Sequence, residues 1–352
     1  MSEIITYKPS EMADAILGLD ASSIRLQSIE VANPPNKTFY DANETFNSSG
    51  IVVEGNYSND LKKDITSNVT YNPNVIPSLS TKKITASYTE KGITKQTDVN
   101  INSYTIVSWE TGTDLEIMNM VLAADMGLID LTDYWHVGDE RKVHLSAMSA
   151  TGVGETHEAQ DVTLVLVDKN NSNYTYTTTP KSGRTTPFFI VQQKNGFAHG
   201  ENEYGYMNST NTNTGSWDGC ARRTWCNSIY RNALPSSIRN IFHQVQVKTA
   251  ETYNGSTLKL SSDYFFLPAE REIFSYAINS NSVEYNILTQ WEYYQTGSNI
   301  IKKSGNNGNT YSWWARSPYS RGNNYFIIVL DNGTVSIDDA DSNKLIAPAG
   351  CI

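Results

Sequence analysis

Near the C-terminus a run of side chains has the types and spacing that suit molecular contact. These are Tyr319, Ser320, Arg321, Asn323, Asn324, Tyr325 and Ile327, followed by Ser336, Asp338, Asp339, Asp341 and Ser342. Tyrosine supplies a large, rigid contact area at little entropic cost, and small polar residues adapt their hydrogen bonds to a partner. Tyr and Arg at the centre of a surface are also where binding energy tends to concentrate. The chemistry of this stretch is recognition.

Catalytic chemistry has fewer footholds. The chain has no Gly-x-Ser-x-Gly elbow, no phosphate-binding loop, no His-Glu-x-x-His and no Cys-x-x-Cys. His136, His144, His157, His199 and His243 are scattered without ligand spacing, which fits surface or hydrogen-bonded structural roles. Glu270 and Glu272 stand too close together to read as an acid/base pair, and a capping or salt-bridge role for Glu270 is simpler. Cys220, Cys226 and Cys351 are too few for a disulfide scaffold and read as small, partly buried free thiols. No activating base is visible beside any of them. Asp338, Asp339 and Asp341 could attract calcium, which favours clustered carboxylates, yet they lack the dense ligand loop and closing Glu of such sites. A solvated or ligand-facing loop is the better reading, so no metal and no cofactor is expected.

The elements that must position the contact residues are legible around them. Trp217 and Trp314 are heavy apolar side chains expected in the core. Trp313 is weighed both as core and as a sugar-stacking surface. Arg316, beside Ser317-Pro318, is expected to satisfy backbone carbonyls. Phe326–Leu330 should return through the turn Asp331-Asn332-Gly333-Thr334 to a strand over Thr334–Ile337. Alternation would put Ile327 and Val329 on one face and Phe326 and Ile328 on the other, with one face open to solvent.

Composition sets the wider bounds. The 352 residues carry only 18% charged side chains, 21 Tyr and a net charge of −10. That balance argues against an electrostatic grip on nucleic acid. No apolar run reaches the roughly 18 residues a transmembrane helix needs, and the first residues lack the basic and apolar regions of a secretory signal.

Along the chain, Met12, Ile16 and Leu19 after Pro9 predict a short helix within 1–21, too short to stand alone. Residues 22–102 read as all-β, with strands around Ile29–Val31, Ile51–Tyr57, Ile84–Tyr88 and Thr97–Ile101 and turn signals such as Glu90-Lys91-Gly92. Residues 103–130 form a connection with one helix. Thr113 and Glu116 make a capping-box pattern there, and Leu115, Met118, Val121 and Leu122 recur at helical spacing. Residues 131–352 mix strands (Arg141–Leu145, Val162–Asp168, Phe188–Val191) with helices. One helix is expected around Arg223–Asn232. Another should carry Ile238, Ile241, Phe242 and Val245 on one face, and a strand over Asp263–Pro268 should run into a third with Ile273, Phe274 and Ala277 inward. That makes an α+β unit.

Three segments resemble known families. Tyr7–Ile16 resembles a leader found on phage tail and fibre proteins. Pro35–Tyr40, Gly50–Val53 and Ser87–Thr94 resemble a bacterial immunoglobulin-like domain. Met207–Asn211, Gly215-Ser216-Trp217, Arg223-Thr224-Trp225, Phe266–Glu270, Trp314–Pro318 and Asp331-Asn332-Gly333 are similar, in order, to the C-type-lectin-fold variable proteins that include retroelement-diversified phage tropism determinants. That family often ends in Gly-Val-Arg-Pro-Ala-Phe-Cys-Ile, where this chain has Leu345–Ile352.

The resemblances imply a multidomain fold: a short N-terminal helix anchoring to other virion proteins, an all-β immunoglobulin-like sandwich, and an α+β C-type-lectin-like domain. They imply a tail-associated, non-enzymatic adhesin on the virion. It would present the C-terminal positions to a host-cell receptor or glycan, as a trimer, without membrane insertion. A structural decoration protein is the alternative, and an oxidase related to formylglycine-forming enzymes a minor one.

Overall fold

Alternating burial sets the first strands. In Val52–Tyr57 every second side chain is buried and the rest face outward, as a strand covered on one side requires. The computed structural model describes residues 24–40, 42–78, 81–149, 153, 156–196, 205–251, 257–276, 279–304 and 308–352. The helix expected within 1–21 lies outside them, as do His199 and Ala277. The described residues form two compact units, one ending at Tyr104 and one from Thr105 to Ile352. Many small antiparallel sheets and few helices make the chain β-rich. Among the described residues, no helix is long and apolar enough to cross a membrane.

The first unit has two three-stranded sheets, β1 (Leu26–Asn33), β2 (Val52–Tyr57) and β3 (Lys62–Asp64), then β4 (Thr70–Asn72), β5 (Lys83–Glu90) and β6 (Ile93–Asn100). All four expected strands form, as β1, β2, β5 and β6, with Ile51 and Ile101 lying one residue outside β2 and β6. Glu90 pairs with Ile93, so Lys91-Gly92 is a two-residue hairpin turn. Both residues have positive φ, 49° and 78°, which is why glycine is placed there. Leu26, Ile29, Val53, Tyr57, Ile84, Ala86, Val99 and Ile101, from both sheets, share one apolar core.

The second unit begins with helix α1 (Asp114–Asp125), capped as expected: Thr113 N donates to Glu116 Oε2 (2.8 Å) and Glu116 N to Thr113 Oγ1 (3.3 Å). Its buried face differs from the expected one. Ile117, Met120, Val121, Ala123 and Ala124 point inward, while Leu115 is largely exposed. Trp109, Ile117, Met120 and Leu131 belong to this unit's core.

Strands β7 (Glu140–Leu145), β8 (Gln160–Lys169), β9 (Thr175–Tyr176) and β10 (Phe189–Gln193) follow. Next comes a helical stretch of α2 (Ala221–Trp225), a π turn (Cys226–Tyr230) and α3 (Arg231–Ala233). The helix expected through Val245 stops early. α4 is only Ser236–Arg239, and Val245 opens strand β11 (Val245–Ala250), paired with β12 (Leu258–Asp263). The strand expected over Asp263–Pro268 shrinks to β13 (Phe265–Phe266) and leads into α5 (Glu270–Ile273), then α6 (Ser282–Ile287). The chain closes with β14 (Trp313–Pro318), β15 (Tyr325–Val329), β16 (Val335–Asp339) and β17 (Ala349–Cys351). β17 lies between β10 and β13 in a five-stranded sheet, and β14–β15–β16 form a separate meander.

Trp217, Trp313 and Trp314 are fully buried. Burying about 200 Å² per Trp at ~25 cal/mol per Å² is worth roughly 5 kcal/mol each before entropic losses. Trp313 donates from Nε1 to Ile300 O (3.0 Å), and Trp314 from Nε1 to Gly205 O (2.8 Å). Trp313 therefore serves the core, and the sugar-stacking reading is overturned. The expected hairpin forms, with Ile327 opposite Ile337, and Gly333 takes the turn at φ 84°. Both faces of β15 are covered, however: Phe326, Ile327, Ile328 and Val329 are all buried. Ile327, expected at a contact surface, is closed from solvent by packing on both sides of the meander.

Candidate functional site

The contact loops grow from a buried polar knot. Arg316 is fully buried, and Nη1 donates to Glu272 Oε2 (2.6 Å) and Leu267 O (2.7 Å). Nη2 donates to Lys248 O (3.1 Å), and Nε to Thr249 Oγ1 (3.2 Å). The expectation that Arg316 satisfies backbone carbonyls is met. Burial opposes its charge, but Glu272 outweighs that and holds the guanidinium firmly ionised.

The next residue, Ser317, donates to Glu284 Oε2 (2.5 Å) and accepts from Glu270 N (3.0 Å). Burial pushes the Glu284 carboxyl up to about 7, against the pull of Ser317, the Ala250 N–H and Arg316. Glu270 is buried as well, and its carboxylate accepts from Asn279 N (3.2 Å) and Ser280 N (2.6 Å). Its role is thus to fix a loop, as a capping carboxylate would. Glu272 closes the first turn of α5 by accepting from Ala269 N (2.8 Å).

From this knot the chain emerges as the loop 319–325. Tyr319 N donates to Tyr325 O (3.0 Å), and the two rings meet edge to face at 6.0 Å. Ser320 N is tied to Asn279 O (2.9 Å). Fully buried Asn213 braces the loop from below, its Nδ2 donating to Gly322 O and Tyr325 O, both at 2.8 Å. A second brace reaches the end of β16. Asn211 Nδ2 (2.7 Å) and Asn324 Nδ2 (3.0 Å) both donate to Asp339 Oδ1. Asn208 completes the support by accepting from Ala221 N (2.8 Å) at the start of α2. Asn208 and Asn211 belong to the quoted motif Met207–Asn211 without a bracing role assigned to them, and Asn213 lies outside it. Which of these amides face inward is decided by tertiary contact.

Within this frame the expected contact residues divide by task. Asn324, Asp338 and Asp339 are engaged. Asp338 binds Lys344 Nζ (2.6 Å) and accepts from Ser342 Oγ (2.8 Å). Burial works against its ionisation, but these bonds prevail and hold it below the usual carboxylate range. Ser336 and Ser342 are half-buried. Arg321, Asn323 and Asp341 are exposed, and among the described residues their side chains make no hydrogen bond or ion pair. Tyr319, Ser320 and Tyr325 are half-exposed beside them. The aspartates expected as an exposed cluster are split: Asp338 and Asp339 turn inward to Lys344, Asn211 and Asn324, and Asp341 faces outward. Among the described residues no group of three His, Cys, Asp or Glu has metal-holding geometry.

Thiol chemistry finds no support in the geometry. All three cysteines are free and fully buried, more deeply than the sequence implied. Burial pushes the Cys220 thiol up to about 11, against hydrogen bonds from the α2 backbone, and raises Cys226 and Cys351 further.

No curated protein matches the chain. One family model, described as a domain of unknown function, DUF6273, matches residues 155–352. The match begins after β7 and takes in every element of the polar knot and both braced loops. It spans more than half of the sequence, and the protein belongs to the DUF6273 family.

Proposed function

We propose that this chain is a phage tail-associated adhesin whose second unit presents the 319–325 loop and the 336–342 segment, the end of β16 and the turn after it, to a host-cell protein or glycan. Its first unit, two small sheets around one core, is read as an immunoglobulin-like spacer. The second is read as a C-type-lectin-like domain, and trimerisation would raise avidity without new contacts. One observation carries the reading. Arg321, Asn323 and Asp341 project free side chains from a frame braced by Asn211, Asn213 and Asn324. Preorganised loops lose little entropy on binding, so free polar groups on a fixed frame suit recognition.

The test is attachment of the purified full chain to a panel of intact bacterial cells. It is compared with a variant carrying Tyr319→Ala, Arg321→Ala and Tyr325→Ala. Attachment lost in a variant that keeps its melting temperature supports the adhesin. Equal attachment of both, or none by either, would favour a decoration protein that stabilises a particle.

A further inference from the structure

The last hairpin leaves one strand edge open. Leu330 N donates to Thr334 O and Ala340 N to Asn324 O, both at 2.8 Å. Bonded and unbonded pairs alternate along an antiparallel ladder. Ser336 and Asp338 therefore turn their backbone groups to β15, while Val335, Ile337 and Asp339 turn theirs away from it. Asp339 satisfies its own locally: its N–H donates to Asp338 Oδ1 (2.8 Å) and its C=O accepts from Ser342 N (2.8 Å). The N–H and C=O of Val335 and of Ile337 have no hydrogen-bond partner among the described residues.

Three other edge strands carry a feature that hinders addition of a further strand. β1 is bulged against β2, β7 exposes Lys142, and Arg223 Nη2 takes Ser262 O (3.2 Å) at the edge of β12. β16 pairs with β15 without a shift in register and contains no Pro or Lys. Val335 and Ile337 share one face, half-buried against the core, and Ser336 and Asp338 share the other. Beyond the two ends of the strand, Asp331 and Asp341 are exposed, and neither side chain has a hydrogen bond or ion pair among the described residues. Across 319–344 four aspartates stand against Arg321 and Lys344.

We infer that β16 receives an extended segment of the host-cell partner as a fourth strand of the meander, with apolar side chains beside Val335 and Ile337 and a Lys or Arg at each end. The inference deepens the binding face proposed above and rests on it: of the two partner classes it selects a protein. Backbone donors and acceptors at strand spacing are matched by the backbone of another strand, which supplies affinity while alternate side chains supply specificity. Opposite residues of an antiparallel pair share a face, so the apolar residues of the incoming segment are those bonded to Val335 and Ile337. The edge is continuous with the contact loop, because Asn324 Nδ2 holds Asp339 at the end of β16. Basic ends follow from Asp331 and Asp341. A second copy of β16 would bring the same acidic hairpin against this one, so charge favours a foreign strand.

The experiment immobilises the full chain and titrates the nonapeptide Lys-Thr-Val-Thr-Val-Thr-Val-Thr-Lys. Its comparators are the same peptide with Glu at both ends and the same peptide N-methylated on its three valines. The expected result is saturable binding of the Lys-ended peptide, weaker binding of the Glu-ended one, and none after N-methylation. Val335→Pro removes one outward N–H and leaves the bonds between β15 and β16 in place. It should weaken binding at least about tenfold. Val335→Ala keeps that N–H and should lose less, with thermal melting confirming that both variants fold. Attachment to cells should disappear when the cells are treated with protease and survive periodate oxidation of their glycans. Equal binding of the N-methylated peptide, preference for the Glu-ended one, equal losses in the two Val335 variants, or attachment that survives protease would overturn the inference. So would a dimer of the full chain that Val335→Pro dissolves, which would give the edge to a second copy. Val335 lies outside the 319–325 loop, so the two readings separate. Full attachment of Val335→Pro, alongside loss of attachment in the Tyr319/Arg321/Tyr325 variant, removes the added strand alone. Unchanged attachment in that triple variant removes the adhesin.

Discussion

Arg316 Nη1 stands 2.6 Å from Glu272 Oε2 with both side chains fully closed from solvent. A pair of this kind is costly to break from one side, because the survivor is left charged and dry. Around it, Tyr174, Leu267, Lys248 and Thr249 converge on the same guanidinium. Arg316→Ala should therefore lower stability by about 3–5 kcal/mol. The double change Arg316→Met/Glu272→Leu should lose less than the sum of the two single changes. Urea unfolding of the four proteins in this cycle, with Arg316→Ala beside them, measures both. A loss under about 1 kcal/mol for Arg316→Ala would mean the knot does not hold the domain together.

Lys302 makes a second buried charge problem, without a carboxylate partner among the described residues. It is 1% exposed, its Nζ donates to Lys194 O (2.9 Å), and it lies 4.8 Å from the Trp313 ring centroid. Burial, aided by the nearby charge of Lys194, pulls its pKa down to about 7 from 10.5. The native state thus binds this proton more weakly than the unfolded chain does. The group's contribution to stability rises with pH from about 7 to about 10.5 and is flat below 7. Lys302→Met should raise stability at pH 7 by about 3–5 kcal/mol, less any packing loss, and abolish the alkaline slope. Melting temperatures of both proteins across that range are the measurement.

Glu284 works in the opposite sense and in a lower window. Its native pKa of about 7 stands above the ordinary 4.5, because burial disfavours the carboxylate. The native state holds this proton more tightly, so stability from this group is present below about 4.5 and is lost as pH rises to about 7. In Glu284→Gln the amide oxygen can still accept from the Ala250 N–H while Nε2 donates to Ser317 Oγ. The variant should therefore match the parent near pH 4 and exceed it by about 2–4 kcal/mol at pH 8. A stability difference between parent and Glu284→Gln that stays constant from pH 4 to pH 8 would contradict the assignment.

How much of this could be seen beforehand differs by element. The Asp331-Asn332-Gly333 turn, the Thr113–Glu116 cap and the carbonyl-binding Arg316 were legible, because each rests on local chemistry. The helix expected through Val245 was not, since Ile238, Ile241, Phe242 and Val245 satisfy a helical period equally well. Pairing with Tyr176 and with Ser261–Asp263 decides that Val245–Ala250 is a strand. The inward face of α1 was misplaced for a similar reason: Leu115 fits the period, but the packing partner chose Ile117 and Met120. Ile327 was misread because alternation cannot tell a strand covered on one face from one covered on both.

The thiols offer a check that is independent of binding. Cys220, Cys226 and Cys351 are fully buried, and burial raises each thiol above its ordinary value. A thiolate is the reactive form, so none should react with a disulfide reagent at pH 8 in the native protein, and all three should react at once in denaturant. One cysteine that reacts fast in the folded state would reopen an oxidase-like chemistry.

Asn213 separates frame from contact most cleanly. Its two donations hold Gly322 O and Tyr325 O, and it exposes nothing to a partner. Asn213→Ala leaves those carbonyls without their donors and should cost about 1–3 kcal/mol. It should also speed hydrogen exchange across 319–325 and weaken attachment without removing any contacting side chain. Asn323→Ala and Asp341→Ala remove exposed groups with no partner among the described residues. They should shift stability by no more than about 0.5 kcal/mol while weakening attachment directly. If Asn213→Ala leaves exchange in the loop unchanged, the amide does not fix the loop, and preorganisation cannot explain binding there.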